Sequence, residues 1–166
     1  MKRLFFGVLA LIPLVLSMAG CGDSGGVATD STPSAKAVLR ISLAGAAVPL
    51  AGAAVKVTLP AGVSVTASET GVANGVVAVS GIAVPGTVGP SVYVPASGAA
   101  RATIAIVVSS NLAAGFGNGE FATVTCNLAT GARPVADDFL LTELNASDLF
   151  LQPVSGVTAS LQVVLP

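Results

Sequence analysis

From Ala37 onward, apolar residues recur at every second position, and this period constrains the chain more than any other feature. Ala37, Leu39, Ile41 and Leu43 alternate with Val38, Arg40 and Ser42. Val55, Val57 and Leu59 alternate with Lys56 and Thr58, and Val63 and Val65 with Ser64 and Thr66. A period of two places one set of side chains on a single face of an extended strand, so these segments read as half-buried strands. Further strands are expected over residues 75–80, 91–94, 102–108, 120–128, 139–142 and 157–165. Turn-forming clusters separate them: Pro60-Ala61-Gly62, Ala73-Asn74-Gly75, Pro85-Gly86, Gly115 to Gly119, and Thr130 to Pro134. Short strands at this spacing, with no long amphipathic helix, predict an all-β fold with one antiparallel β-sandwich over residues 37–166. About 130 residues suffice for one such core. Its apolar positions are mainly Ala and Val, so the sheets are expected to pack closely.

The high hydrophobic fraction, 53%, has a second source at the N-terminus. Lys2 and Arg3 precede the apolar run Leu4 to Leu16, which leads into the small residues Ser17, Ala19 and Gly20. This is the layout of a signal peptide, and the run, interrupted by Pro13, is shorter than the ~20 residues of a membrane-spanning helix. Residues 22–36, rich in Gly, Ser, Thr and Asp and without periodicity, read as a flexible tether.

The junction Leu16-Ser17-Met18-Ala19-Gly20-Cys21 resembles the lipobox of bacterial lipoproteins, with Met18 where Leu is usual. That resemblance implies removal of residues 1–20, acylation of Cys21 and attachment to the cell envelope. By the same resemblance, Gly22 rather than Asp after the cysteine implies the outer membrane, as in lipoproteins of enteric-type bacteria. Two or more acyl chains hold a protein on a bilayer where one chain is marginal. The alternative is ordinary secretory cleavage after Ala19 or Gly20, leaving a free thiol at Cys21. Loss of Lys2 and Arg3 leaves five basic and eight acidic residues, a net of −3. With Cys21 acylated, Cys126 has no intramolecular disulfide partner and is expected to be a buried hydrophobe.

Composition narrows the chemistry. The chain has no His and no Trp, and only 9% of its residues are charged. Triads and zinc sites that use imidazole are therefore absent, and no clustered basic face exists to neutralise phosphates, so nucleic acid is not an expected partner. No cofactor is expected. Asp137 and Asp138, with Glu143 and Asp148, form the one acidic cluster, and Asp137 and Asp138 are the only candidates for a metal. Without an Asp-x-Asp-x-Asp-Gly loop, a solvated surface loop is the preferred reading. The Gly-rich run Gly115 to Gly119 precedes a strand rather than a helix, so it reads as a turn, not as a phosphate cradle. Tyr93, Phe116 and Phe150 lie beside turn residues and are the candidate exposed aromatic ligand-binding positions, whereas Phe121 and Phe139 are expected in the core. Pro90 and Pro95 mark the Tyr93 strand as an edge strand.

The distal half carries a second resemblance. Gly119-Glu120-Phe121-Ala122-Thr123-Val124 is similar to the Gly-x-Phe-Ala-x-Ile strand of cohesin domains, and Phe139 to Glu143, Ser147 to Phe150 and Val157 to Val164 follow in the same order. Upstream, Gly52 to Val63 resembles an early cohesin strand. The resemblance implies a jelly-roll sandwich, related to carbohydrate-binding modules, and a dockerin-like protein partner. Together these readings predict a lipid-anchored, non-catalytic binding or scaffolding module. A carbohydrate-binding module for polysaccharide, or a structural lipoprotein without a discrete ligand, is the alternative.

Overall fold

The computed structural model describes residues 35–69 and 71–166. The signal peptide, Cys21 and nearly all of the tether lie outside the described residues. The described residues belong to one compact unit, and they form an antiparallel all-β sandwich. Its strands are β1 (Lys36–Ala44), β2 (Leu50–Thr58), β3 (Val63–Ser64), β4 (Ala67–Ser68), β5 (Gly71–Val72) and β6 (Val77–Val79). They continue with β7 (Gly86–Val88), β8 (Val92–Val94), β9 (Thr103–Ser110), β10 (Gly119–Leu128), β11 (Leu140–Asp148) and β12 (Thr158–Val164).

One sheet runs β12-β1-β10, with β3 and β6 both paired along the far side of β10. The other runs β11-β2-β9, with β7 and β8 both paired along the far side of β9. β4 and β5 form a separate small ribbon. The long strands change sheet at each step from β9 to β12, so the sheets are sewn together by the chain. Both inner faces are apolar. Leu39 and Ile41 of β1, Val57 of β2, Ile104 and Ile106 of β9 and Val124 of β10 are fully buried. No polar or charged residue is buried among the described residues.

Strand positions follow the alternation where it is regular and depart from it at bulges. In β10, Ala122 pairs with Ile41 and Glu120 with Ser42, leaving Phe121 as an extra residue, and both Phe121 and Ala122 turn inward. A bulge of this kind breaks the period of two without ending the strand. The expected strand 139–142 continues to Asp148, because Glu143, at φ 55°, is the extra residue of a second bulge after which pairing with β2 resumes. β2 likewise starts at Leu50, not Val55. Its first half, Leu50-Ala51-Gly52-Ala53-Ala54, is too poor in large side chains to display alternation. β7 was hidden by Pro85-Gly86, a pair that signals a turn but here leads directly into a strand.

Candidate functional site

Three connections meet at one end of the sandwich: residues 45–49 between β1 and β2, 111–118 between β9 and β10, and 149–157 between β11 and β12. Pairing requires this, since Gly52 faces Ser109, Asp148 faces Leu50, Leu43 faces Gly119 and Ala44 faces Thr158. None of the residues in these connections is Lys, Arg, Asp or Glu. We call this end the loop pole. Lys36, by contrast, pairs with Asn127 at the far end of β10, so the chain enters the sandwich at the opposite, amino-terminal pole.

The loops are locked to each other. The Ala46 N–H donates to Asn118 Oδ1 at 2.8 Å, and Asn118 Nδ2 donates to the Ala46 carbonyl at 3.2 Å. Leu50 and Phe116 exchange backbone hydrogen bonds of 2.8 and 2.9 Å. Gly45 (φ +79°) and Gly115 (φ +69°) have no room for a side chain. A Cβ there would stand 2.4 Å from the Gly156 carbonyl oxygen and 2.5 Å from that of Leu50, respectively. Glycine thus lets the three backbones touch.

On this platform the β11–β12 loop projects two large side chains into solvent: Phe150 is 82% and Leu151 77% exposed. Asp148 fixes their position. Its Oδ1 accepts the N–H groups of Phe150 at 2.8 Å and Gln152 at 2.9 Å, while the Asp148 backbone bonds to Leu151 and Gln152. The carboxylate is thereby committed to the loop's own backbone in an Asx-type turn. Leu151 is held at φ 61°, a left-handed conformation costing a non-glycine residue roughly 1–2 kcal/mol. Leu149 lies against Gly115, its Cδ2 3.1 Å from where a Cβ there would be.

The sequence candidates are dispersed. Phe150 is exposed as expected. Phe116 is not: it is only 4% exposed and stacks on Phe121, with ring centroids 6.4 Å apart and planes 9° from parallel. The Gly neighbours that suggested an exposed turn instead let the chain fold back and seal Phe116 beneath the loops. Tyr93 sits on β8, an edge strand as expected, opposite Ile104, and is half-buried against the core. It is therefore not a flat exposed ring for stacking.

Asp137 and Asp138 lie in a short 3₁₀ turn, Ala136–Asp138, at the amino-terminal pole. Asp138 Oδ2 accepts the Val135 N–H at 2.9 Å, and Arg101 donates to the Asp138 carbonyl and, at 3.2 Å, to that of Leu59. Glu143 pairs with Lys56 at 3.0 Å on the sheet face. Asp148 is at the other end of the nine-residue β11, ~30 Å away at about 3.4 Å per residue. The acidic cluster of the sequence is thus taken apart by the strand that runs through it. No group of three or more acidic, Cys or His side chains able to hold a metal occurs among the described residues. Phe139, expected in the core, is buried.

Cys126 is a free, buried thiol that burial pushes up to about 12, so it is an inert hydrophobe rather than a nucleophile. Glu120 is the other perturbed group among the described residues. The nearby Ser80 hydroxyl, itself outside strict hydrogen-bond geometry, and the Arg40 guanidinium at 3.1 Å hold its carboxyl below the usual range. A cleft between the β5–β6 and β7–β8 segments is lined by Val72, Asn74, Val77, Val88, Pro90 and Ser91, none of which carries a carboxylate or an amine. Sequence reading missed Leu151 and the interlocking of the loops. The available signal was the absence of charge from three separate connections, which gains meaning only once pairing brings them together.

No family model, no curated protein and no solved structure matches the chain.

Proposed function

We propose that this chain is a non-catalytic binding or scaffolding module of the bacterial cell envelope, anchored by acyl chains on Cys21 and engaging a protein partner through the loop pole. The observation that carries the reading is the fixed, uncharged projection of Phe150 and Leu151. Apolar anchors surrounded by uncharged surface are the usual centre of a protein–protein contact, and prior fixing of the loop lowers the entropy cost of association. A bilayer imposes no shape, so it would gain nothing from a loop fixed at such cost.

The anchor reading rests on the lipobox resemblance, with which the strand placement is compatible. The chain enters at the amino-terminal pole, so a tether from Cys21 would leave the loop pole facing away from the membrane. The movement of strands β9 to β12 between sheets supports the jelly-roll part of the cohesin resemblance. The polysaccharide alternative rests on Tyr93, whose half-buried position offers it little support.

Two measurements test the proposal. Mass spectrometry of the protein from its native membrane is expected to find acylated Cys21 as the first residue; an unmodified N-terminus elsewhere would remove the anchor. A photo-crosslinking amino acid at position 150 of the full chain in cells is expected to yield one discrete protein adduct, absent when the same group replaces Val92. Equal labelling from both positions, or adducts to lipid alone, would refute the loop-pole assignment.

A further inference from the structure

The flanks of the sandwich differ in how their edges are defended. An open edge strand invites pairing with another chain, and proteins blunt such edges with short strands, proline, charge or bulges. On one flank β3, β6, β7 and β8 are two or three residues long, and Pro60, Pro85, Pro90 and Pro95 stand beside them. On the other flank, β11 is bulged at Glu143 and carries that residue's charge.

β12 has none of these devices. Its sequence, Thr158-Ala159-Ser160-Leu161-Gln162-Val163-Val164, contains no charge, Pro or Gly, and it pairs with β1 in unbroken register from Val38–Val164 to Ala44–Thr158. No other strand pairs with it, and no backbone hydrogen bond outside that ladder reaches residues 155–166 among the described residues.

We infer that the β12 edge is a self-association site, at which two copies of this chain pair antiparallel about Leu161 to form one continuous sheet. The strand's own pattern selects a second copy. Centring on Leu161 sets Leu161 opposite Leu161 of the second copy, Ala159 opposite Val163, and Ser160 opposite Gln162. Ala159, Leu161 and Val163 pack toward the core, whereas Ser160 and Gln162 are exposed. Apolar residues therefore meet apolar ones on the inner side, Ser160 meets Gln162 and Thr158 meets Val164 on the outer side, and no charge faces another. Such cross-strand pairs are the unit that stabilises a sheet. The contact is one short strand wide, so it buries less than a standard interface of about 1,600 Å² and the dimer is weak and reversible. This site is separate from the loop pole and does not depend on its function.

The test is sedimentation of the detergent-solubilised full chain from roughly 1 µM to 1 mM, the range of weak interfaces. A concentration-dependent dimer is expected. The double variant S160K/Q162K, which sets Lys against Lys across the pair, is expected to sediment as a monomer with an unchanged thermal melt. Mixing it with S160E/Q162E is expected to restore the dimer. Register is checked independently by oxidation, where a chain carrying Ser160→Cys is expected to cross-link to one carrying Gln162→Cys but not to itself. A wild-type chain that stays monomeric throughout, a Lys variant that still dimerises, or cross-linking indifferent to register would overturn the inference.

Discussion

The two poles of the sandwich are built from the same kind of connection but spend their polar groups differently. At the amino-terminal pole, Arg101 ties two carbonyls together, and Asp138 closes its own turn, with Arg133 and Asp137 close by in the chain and Lys36 brought to this end by its pairing with Asn127. At the loop pole, charge is missing from all three connections, and Asp148 is turned inward to its own loop. One pole therefore presents ions to water, and the other presents Phe150 and Leu151. Because an isolated exposed apolar residue is common whereas a fixed pair on an uncharged platform is not, this contrast is the ground on which binding is proposed at the loop pole.

The sharpest way to break this comparison is to change the two phenylalanines of the loop pole in turn. Phe116→Ala removes a ring buried against Phe121 and is expected to cost roughly 3–5 kcal/mol in denaturant unfolding. Phe150→Ala should change stability by no more than about 0.5 kcal/mol, while abolishing partner capture. If both substitutions were equally mild, the loop pole would not be the packed platform described.

Next in size is Asp148→Ala, which strips two N–H groups of their acceptor. A loss of about 1–2 kcal/mol is expected, together with faster amide exchange at Phe150 and Gln152. At the other pole Arg101→Ala should cost about 1 kcal/mol through the Leu59 and Asp138 carbonyls, with no effect on partner capture. Loss of capture there would erase the distinction between poles. Leu151→Gly relieves a left-handed side chain but frees the unfolded chain, so the net change should lie within about 1 kcal/mol.

The smallest effect is on the sheet face between the poles. Glu120 titrates below its usual value, so its contribution is present above the unfolded carboxyl pKa, near 4.5, and is lost as pH falls through the lower folded value. Glu120→Gln should lower stability slightly at neutral pH and leave it unchanged below the folded carboxyl pKa, which flattens the acid limb of the stability profile, as expected of an exposed ion pair with Arg40.

Much of the fold is legible in the chain because burial against one face imposes a period of two. Residues 37–43, 102–108 and 122–128 display it, and their strands lie where it predicts. The period fails where one residue is inserted or where side chains are too small to mark a face. Phe121 and Glu143 are the former, and the Leu50–Ala54 half of β2 is the latter. Local order also misled at Phe116, since flanking glycines read equally well as an exposed turn and as a backbone folding tightly over a buried ring.

What the sequence by itself determined is the class of fold and the chemistry available to it. An alternating, histidine-free, charge-poor chain makes half-buried strands with few titratable groups, and these are local properties of residue type and spacing. Tertiary structure alone decided which residues share a place. Strand pairing carries Asp137 and Asp138 away from Asp148, brings three uncharged loops into contact, hides Phe116 beneath them and leaves Phe150 above. Neighbourhood across a sheet depends on register between segments remote in sequence, and register is set by the packing of the whole core.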